Sequence, residues 1–312
     1  MNTPSNAVPG SHADSQGIAG PPMLRTRPMY WSVRRELWES RSIYIAPLVV
    51  MALVLFGSLI SMVRLPGRME TLPAHDPAVE QALIRVFSIA PAPIMLATFL
   101  VGVFYSLDAL YGERRDRTIL FWKSLPVSDL TTVLSKASIP LVVLPLIAFV
   151  LSVATLGIML VLGTAILLAS GLSPATLWAK VHFFQEPLIM IYGLTVHALW
   201  FSPIYAWLLL VSAWARRTPV LWAALPPFAI VVVERIAFGT SHFCSLLRYR
   251  VTGALEEAFG INTSGGGVGH IDQLSQLTPL TFLSSPGLSI GLVFAAAFLV
   301  AAVRLRRYRE PI

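Results

Sequence analysis

Twenty consecutive residues, "YIAPLVVMALVLFGSLISMV" at positions 44–63, contain no charged side chain. A bilayer core of about 30 Å is crossed by roughly 20 apolar residues in a helix. Five more runs meet that length: about 86–110, 137–169, 187–213, 220–238 and 286–303. The runs are continuous and do not alternate, which excludes a membrane β-barrel. The fold class read from the sequence is therefore an all-α integral membrane protein with six transmembrane helices. Prolines fall inside or at the start of several runs: Pro91 and Pro93, Pro140 and Pro145, and the Pro226–Pro227 pair. Neighbouring helices satisfy the carbonyls such prolines free. The third run exceeds the bilayer, so it tilts, kinks at Pro140 or Pro145, or projects beyond the membrane.

Composition agrees. Only 12% of the 312 residues are charged and the mean hydropathy is +0.71, where soluble domains carry about 25% charged residues. The net charge of +7 reads as the lysine and arginine excess of cytoplasmic loops and not as a nucleic-acid surface. Segments on one side of the runs carry sixteen of these cations and the other side six. The sixteen include Arg34, Arg35, Arg114, Arg115, Arg117, Lys136 and Arg306. By the positive-inside rule both termini are cytoplasmic. Residues 1–28 hold no apolar run, so they do not form a classical signal peptide. Rich in Pro, Gly, Ser and Asn, they read as a disordered cytoplasmic tail, followed by one six-span unit over 29–312. The lone Cys244 excludes an internal disulfide.

Enzyme chemistry is hard to find. There is no phosphate-cradling G-x-x-x-x-G-K-[ST] and no HExxH or C-x-x-C. The six histidines are too scattered to hold a metal. His197 alone lies at membrane depth, where it binds substrate, carries a proton or bonds a neighbouring helix. Glu234 and Arg235 close the fifth run, either as a helix-end pair reaching the headgroups or as a gate. The outer stretch 239–286 includes "SHFCSLLRYRVTGALEEAF", which predicts a short helix, and "GGGVG", a flexible break.

Two basic-side segments remain. "MYWSVRRELWESR", 29–41, sets Tyr30, Val33, Leu37 and Trp38 at helical spacing, with Arg34, Arg35, Glu36 and Glu39 at the other positions. That pattern suits an amphipathic helix lying on the inner membrane surface, or a cytoplasmic extension of the first span. "YGERRDRTILFWKSLPVSDL", 111–130, follows the second span. Glu113 and Arg117 stand four apart as a helical pair, and Ile119, Leu120, Phe121, Trp122 and Leu125 form an apolar patch. Pro126 breaks the helix, and Ser128 caps the next with Asp129 in its first turn. The segment is a compact helical hairpin whose aromatic tip docks a cytoplasmic partner or dips into the membrane interface.

"LDALYGERRDRTILFWKSLPVSDLTTVLSK", 107–136, resembles the first cytoplasmic loop of bacterial ABC transporter permeases of the type 2 exporter class. "RRELWESRSIYIAPL" before the first span and "ERIAFGTSHF" around the end of the fifth agree with it. The resemblance implies a multi-pass permease of the bacterial inner membrane, paired with a second copy and with a separate cytoplasmic ABC ATPase that binds ATP and Mg. It implies no cofactor in this chain and no nucleic-acid partner. The loop 111–136 would carry the coupling helix that contacts the ATPase through Glu113, Arg114, Arg115, Asp116, Arg117, Phe121, Trp122 and Leu125. The helix bearing Tyr30, Arg34, Leu37 and Trp38 would be the interfacial connecting helix, with membrane lipid as its partner. The stretch after the fifth span would cap the pathway, with Glu234, Arg235 and His197 as gate or pathway residues. The rival function is a non-transporting anchor or sensor that recruits a cytoplasmic ATPase.

Overall fold

The computed structural model describes residues 28–64, 67, 87, 89–124, 127–171, 173–180, 185–260 and 276–308. Among them there is no strand. Most of the expected tail, Leu125, Pro126 and the "GGGVG" break lie outside the described residues. Among the described residues five helices are long and apolar enough to cross a membrane, or six if one bent pair counts as a single span.

Helix α1 (Pro28–Glu39) precedes the first span, α2 (Ser42–Val63). The second span, α3 (Pro91–Asp108), starts on the proline that best tolerates a helix N-terminus and runs on into α4 (Tyr111–Arg115) and α5 (Thr118–Ser124). Ser128 then caps α6 (Asp129–Ala169), its Oγ accepting from the Thr131 N–H at 3.1 Å. At about 1.5 Å per residue the 41 residues of α6 span roughly 61 Å, twice a bilayer core. The excess projects beyond the apolar run, and a π-helical turn at Ile139–Val143 surrounds Pro140. That ring removes an amide donor, and the wider turn absorbs the lost hydrogen bond.

Where the sequence predicts a fourth span, the chain forms a bent pair of helices. A short α7 (Ala175–Lys180) leads to α8 (Gln185–Trp200) and α9 (Ser202–Trp214), which meet at 46°. "FSP" at 201–203 explains the break, because Pro203 cannot donate into the turn before it. The fifth span, α10 (Pro219–Phe238), ends on Gly239 at φ +66° and buries none of its residues. It touches the bundle at its edge, where Trp207 Nε1 donates to the Ala223 carbonyl and Trp214 packs edge-on against Trp222. Next come α11 (His242–Phe259), stopped by left-handed Gly260, then α12 (Pro279–Ser284) and α13 (Pro286–Tyr308). The helix expected in the outer stretch is therefore present and is five turns long.

The core runs the length of the bundle. At one end Ile43, Tyr105, Leu110, Val133, Ile139, Leu209 and Ala302 pack together. Further along, Tyr205 and Leu208 face Phe99 and Leu107. Starts of α2 and α6 and ends of α3, α9 and α13 share the first end, which also gathers the arginines of 34–41, 114–117 and 304–307. We call it the basic end. Near the basic end the helices approach closely at Gly102 of α3. A methyl there would meet Tyr205 at 3.2 Å and Leu144 at 3.4 Å. Tyr205 is fully buried. Gly102→Leu is expected to cost about 1–3 kcal/mol, read as a lower thermal midpoint of the purified chain in detergent.

Candidate functional site

Charged groups at the basic end do not sit in solvent. Glu113 of α4 is buried, and its carboxylate is the hub. Arg306 of α13 donates to Oε2, while Lys136 of α6 lies 3.2 Å and Arg35 of α1 3.6 Å from Oε1. Lys136 also donates to Glu36 of α1 at 2.9 Å, and the Tyr105 hydroxyl of α3 donates to the same carboxylate at 2.7 Å. Arg306 reaches Asp129 at 3.0 Å through Nε. Arg35 also donates to Glu39 of its own helix at 2.8 and 3.0 Å, so three cations and four anions from four helices pair with one another, with a tyrosine of a fifth. An unpaired buried charge costs several kcal/mol, so removal of any member leaves another exposed to that cost.

A second lock holds α4 against α9. The Ser212 Oγ accepts from the backbone N–H groups of Leu110 and Tyr111 at 3.0 and 2.9 Å. These are first-turn amides without a partner in their own helix. In return Arg114 is buried and donates to the carbonyls of Ser212 and Ala215 at the end of α9. A cation there also meets the negative end of the helix dipole.

These locks correct the surface expected from the sequence. Glu113 and Arg114 face the interior and are unavailable to a partner. Nor does Glu113 pair with Arg117: α4 stops at Arg115, and Arg117 takes the left-handed conformation at φ 58°. That turn redirects the chain into α5, and a non-glycine residue there stores about 1–2 kcal/mol of strain. Arg115 and Asp116 are exposed and pair with each other at 2.9 Å. The Arg115 hydrogen bond holds the Asp116 carboxyl below its ordinary range.

In α5, Ile119 is buried in the bundle while Leu120 and Phe121 stand about 60% exposed. Trp122 turns inward: the Arg35 guanidinium lies over its ring, 3.1 Å from the centroid, and Phe121 packs edge-on against it. The aromatic tip expected from the sequence is thus split into an outward Phe121 and an inward Trp122. Between α1 and the α3–α5 segment lies a cavity of about 670 Å³ rimmed by Glu39, Asp108, Asp116 and Phe121.

Helix α1 is turned differently from the simple amphipathic reading. Val33 and Leu37 pack on the core as expected, but so do Arg35 and Glu36, drawn in by the buried pairs. Tyr30, Trp31 and Trp38 are exposed, and Arg34 lies against both Trp31 and Trp38, at 5.3 and 4.8 Å from the ring centroids.

The remaining sequence candidates lie elsewhere. Glu234 accepts from Thr240 Oγ1 and from the backbone N–H groups of His242 and Phe243, at 2.8, 2.6 and 2.8 Å. It caps the first turn of α11, the role a side-chain oxygen plays at any helix start. Arg235 is exposed on α10. His197 Nε2 lies 3.3 Å from the Tyr205 hydroxyl, so these residues do not join the basic-end cluster. Glu36, Lys136, Ser212 and Arg306 were missed as site residues. Their one sequence signal is polarity at the margins of apolar runs, which does not say which margins meet.

Compared with protein families, with curated proteins and with solved structures, the chain finds no match.

Arg306→Met takes one of three cations from the buried Glu113 and a hydrogen-bond donor from Asp129, and is expected to cost about 3–5 kcal/mol. Asp116→Asn, at the exposed pair, should leave the thermal midpoint unchanged. Equal shifts for the two variants in a detergent melt would refute the assignment of the hub.

Proposed function

We propose that the chain is the membrane subunit of an ABC-type exporter, with α5 as the element that docks a separate soluble ATPase. The observation that carries this reading is the contrast within 113–122. The base of the segment is tied to the bundle by buried ion pairs, while Leu120 and Phe121 project from it beside Arg115 and Asp116. Aromatic anchors ringed by charge suit a protein interface. A push on Phe121 would pass through Trp122 to Arg35 and so to α1, and through the backbone to Glu113 and the ends of α6 and α13. A stiff lever of this kind transmits a partner's motion to the spans; a slack loop would absorb it.

On this reading the basic end faces the cytoplasm, as its arginine content favours, and both termini are cytoplasmic in a bacterial inner membrane. Helix α1 lies along the membrane surface, with Trp31, Arg34 and Trp38 as a stacked aromatic–cation face toward the headgroups. ATP and Mg belong to the partner. The lateral apolar surface of α10 is available to lipid or to a second copy of the chain, the expected arrangement for a transport pathway. Against the surface expected from the sequence, docking loses Glu113, Arg114 and Trp122, keeps Arg115, Asp116, Arg117 and Phe121, and gains Leu120, while Leu125 lies outside the described residues. Trp122 becomes a transmitting residue and no longer a contact.

Two substitutions separate these roles. Phe121→Asp is expected to reduce the soluble ATPase co-purifying with the tagged chain from native membranes by about ten-fold or more. Trp122→Ala should retain the ATPase but lower transport per ATP hydrolysed in reconstituted vesicles. Undiminished ATPase capture by Phe121→Asp, in a chain of normal thermal midpoint, would reject the docking assignment.

A further inference from the structure

A second cavity lies within one chain, and none of its described lining residues belongs to the basic-end cluster. It holds about 590 Å³ and is bounded by α3, α6, α8 and α11. Its origin is local geometry. The 46° bend at Phe201 swings α8 away from the line of α9. Pro140, in the π-helical turn of α6, and Pro145 stand on the facing wall. Such turns recur at binding sites because they widen a helix locally. Helix α11 closes the wedge. Tyr192 donates to the Ala258 carbonyl and Trp200 Nε1 to the Arg250 carbonyl, so α8 and α11 run antiparallel along its flank.

The lining has a definite chemistry. Phe99, Leu144, Met190 and Phe259 give an apolar wall, and among the described residues the lining holds no lysine or arginine. Thr98 spends its hydroxyl on carbonyls of its own helix. His197 supplies a polar point at depth. Its ring is set among Phe99, Phe201 and Tyr205, with centroids 6.4, 5.0 and 5.9 Å away, and its Nε2 faces the Tyr205 hydroxyl. Imidazole and phenol together retain donor and acceptor capacity beyond that one bond. Glu186 also lines the cavity, eleven residues from His197 and so roughly 16 Å away along α8. Volume and lining match a small-molecule site: mostly apolar, with few polar groups that fix orientation.

We propose that this cavity binds one lipophilic molecule bearing an uncharged hydroxyl or carbonyl. Its apolar body lies between α3, α6, α8 and α11, and its polar group hydrogen-bonds at His197. A carboxylate or phosphate at that depth would be desolvated with no cation among the described lining residues to compensate it. The site needs only the single chain, so it does not depend on the ATPase reading.

Gly193 provides the test. A methyl there meets only Phe259, at 3.9 Å, and points into free volume. The full chain, purified in detergent, is irradiated with hexadecanol carrying a mid-chain diazirine, and the labelled peptides are mapped by mass spectrometry. Label is expected on α3, α6, α8 and α11, displaced by unlabelled hexadecanol. Gly193→Ala should keep the labelling and Gly193→Leu abolish it. His197→Phe, which preserves ring volume, should weaken competition about ten-fold, the value of one buried hydrogen bond. Labelling unchanged by Gly193→Leu in a chain of normal thermal midpoint would overturn the proposal. So would label on other helices of the wild type, or hexadecanoic acid or hexadecylamine competing as well as the alcohol.

Discussion

Buried charge must be neutralised where it lies, and at the basic end one carboxylate organises that neutralisation. Glu113 draws Arg306, Lys136 and Arg35 to itself, and Lys136 and Arg306 in turn hold Glu36 and Asp129. Such a cluster adds little net stability over an apolar one of equal volume, because desolvation consumes most of the Coulombic gain. What it adds is specificity. Apolar helix faces in a bilayer can slide with little penalty, since lipid tails are as apolar as leucine. Ion pairs between α1, α4, α6 and α13 allow one register only.

That register determines what the hairpin after the second span can present. With Glu113 and Arg114 turned inward, the left-handed turn at Arg117 is the pivot that throws α5 outward. Leu120 and Phe121 then project from a rigid base. The same pairs rotate α1 so that its tryptophans face away from the bundle while Glu36 faces into it. Position, stiffness and exposure of the proposed docking element are thus consequences of one buried cluster.

The other half of the molecule follows a different rule. There the helices diverge, because prolines at 140, 145 and 203 interrupt straight packing, and polar groups serve to hold connections. Glu234 is the clearest instance. An ionisable residue near the end of a span invites a functional reading, yet its oxygens are spent on the amides that start α11. His197 went the other way: its bond to Tyr205 is an ordinary helix contact, but the bend beside it makes the same ring part of a cavity wall.

Much of the fold was legible in the sequence, since spans, loop hairpin and the Ser128 cap depend on local signals. Twenty apolar residues must be a helix in a bilayer, and a serine before an acidic first turn caps whatever tertiary partner it meets. The break of the fourth span was also written there, in Pro203, though a hydropathy average passes over a single residue. Which side chains meet was not legible. Glu36, Glu113 and Arg306 are separated by 77 and 193 residues, and no local pattern says that a carboxylate next to two arginines will ignore both and bond a third across the bundle. The sequence by itself determined that this chain builds apolar helices with a basic end. Only the tertiary structure decided which charges are buried as partners and which remain outside, because desolvation is a property of the assembled neighbourhood and not of any one segment.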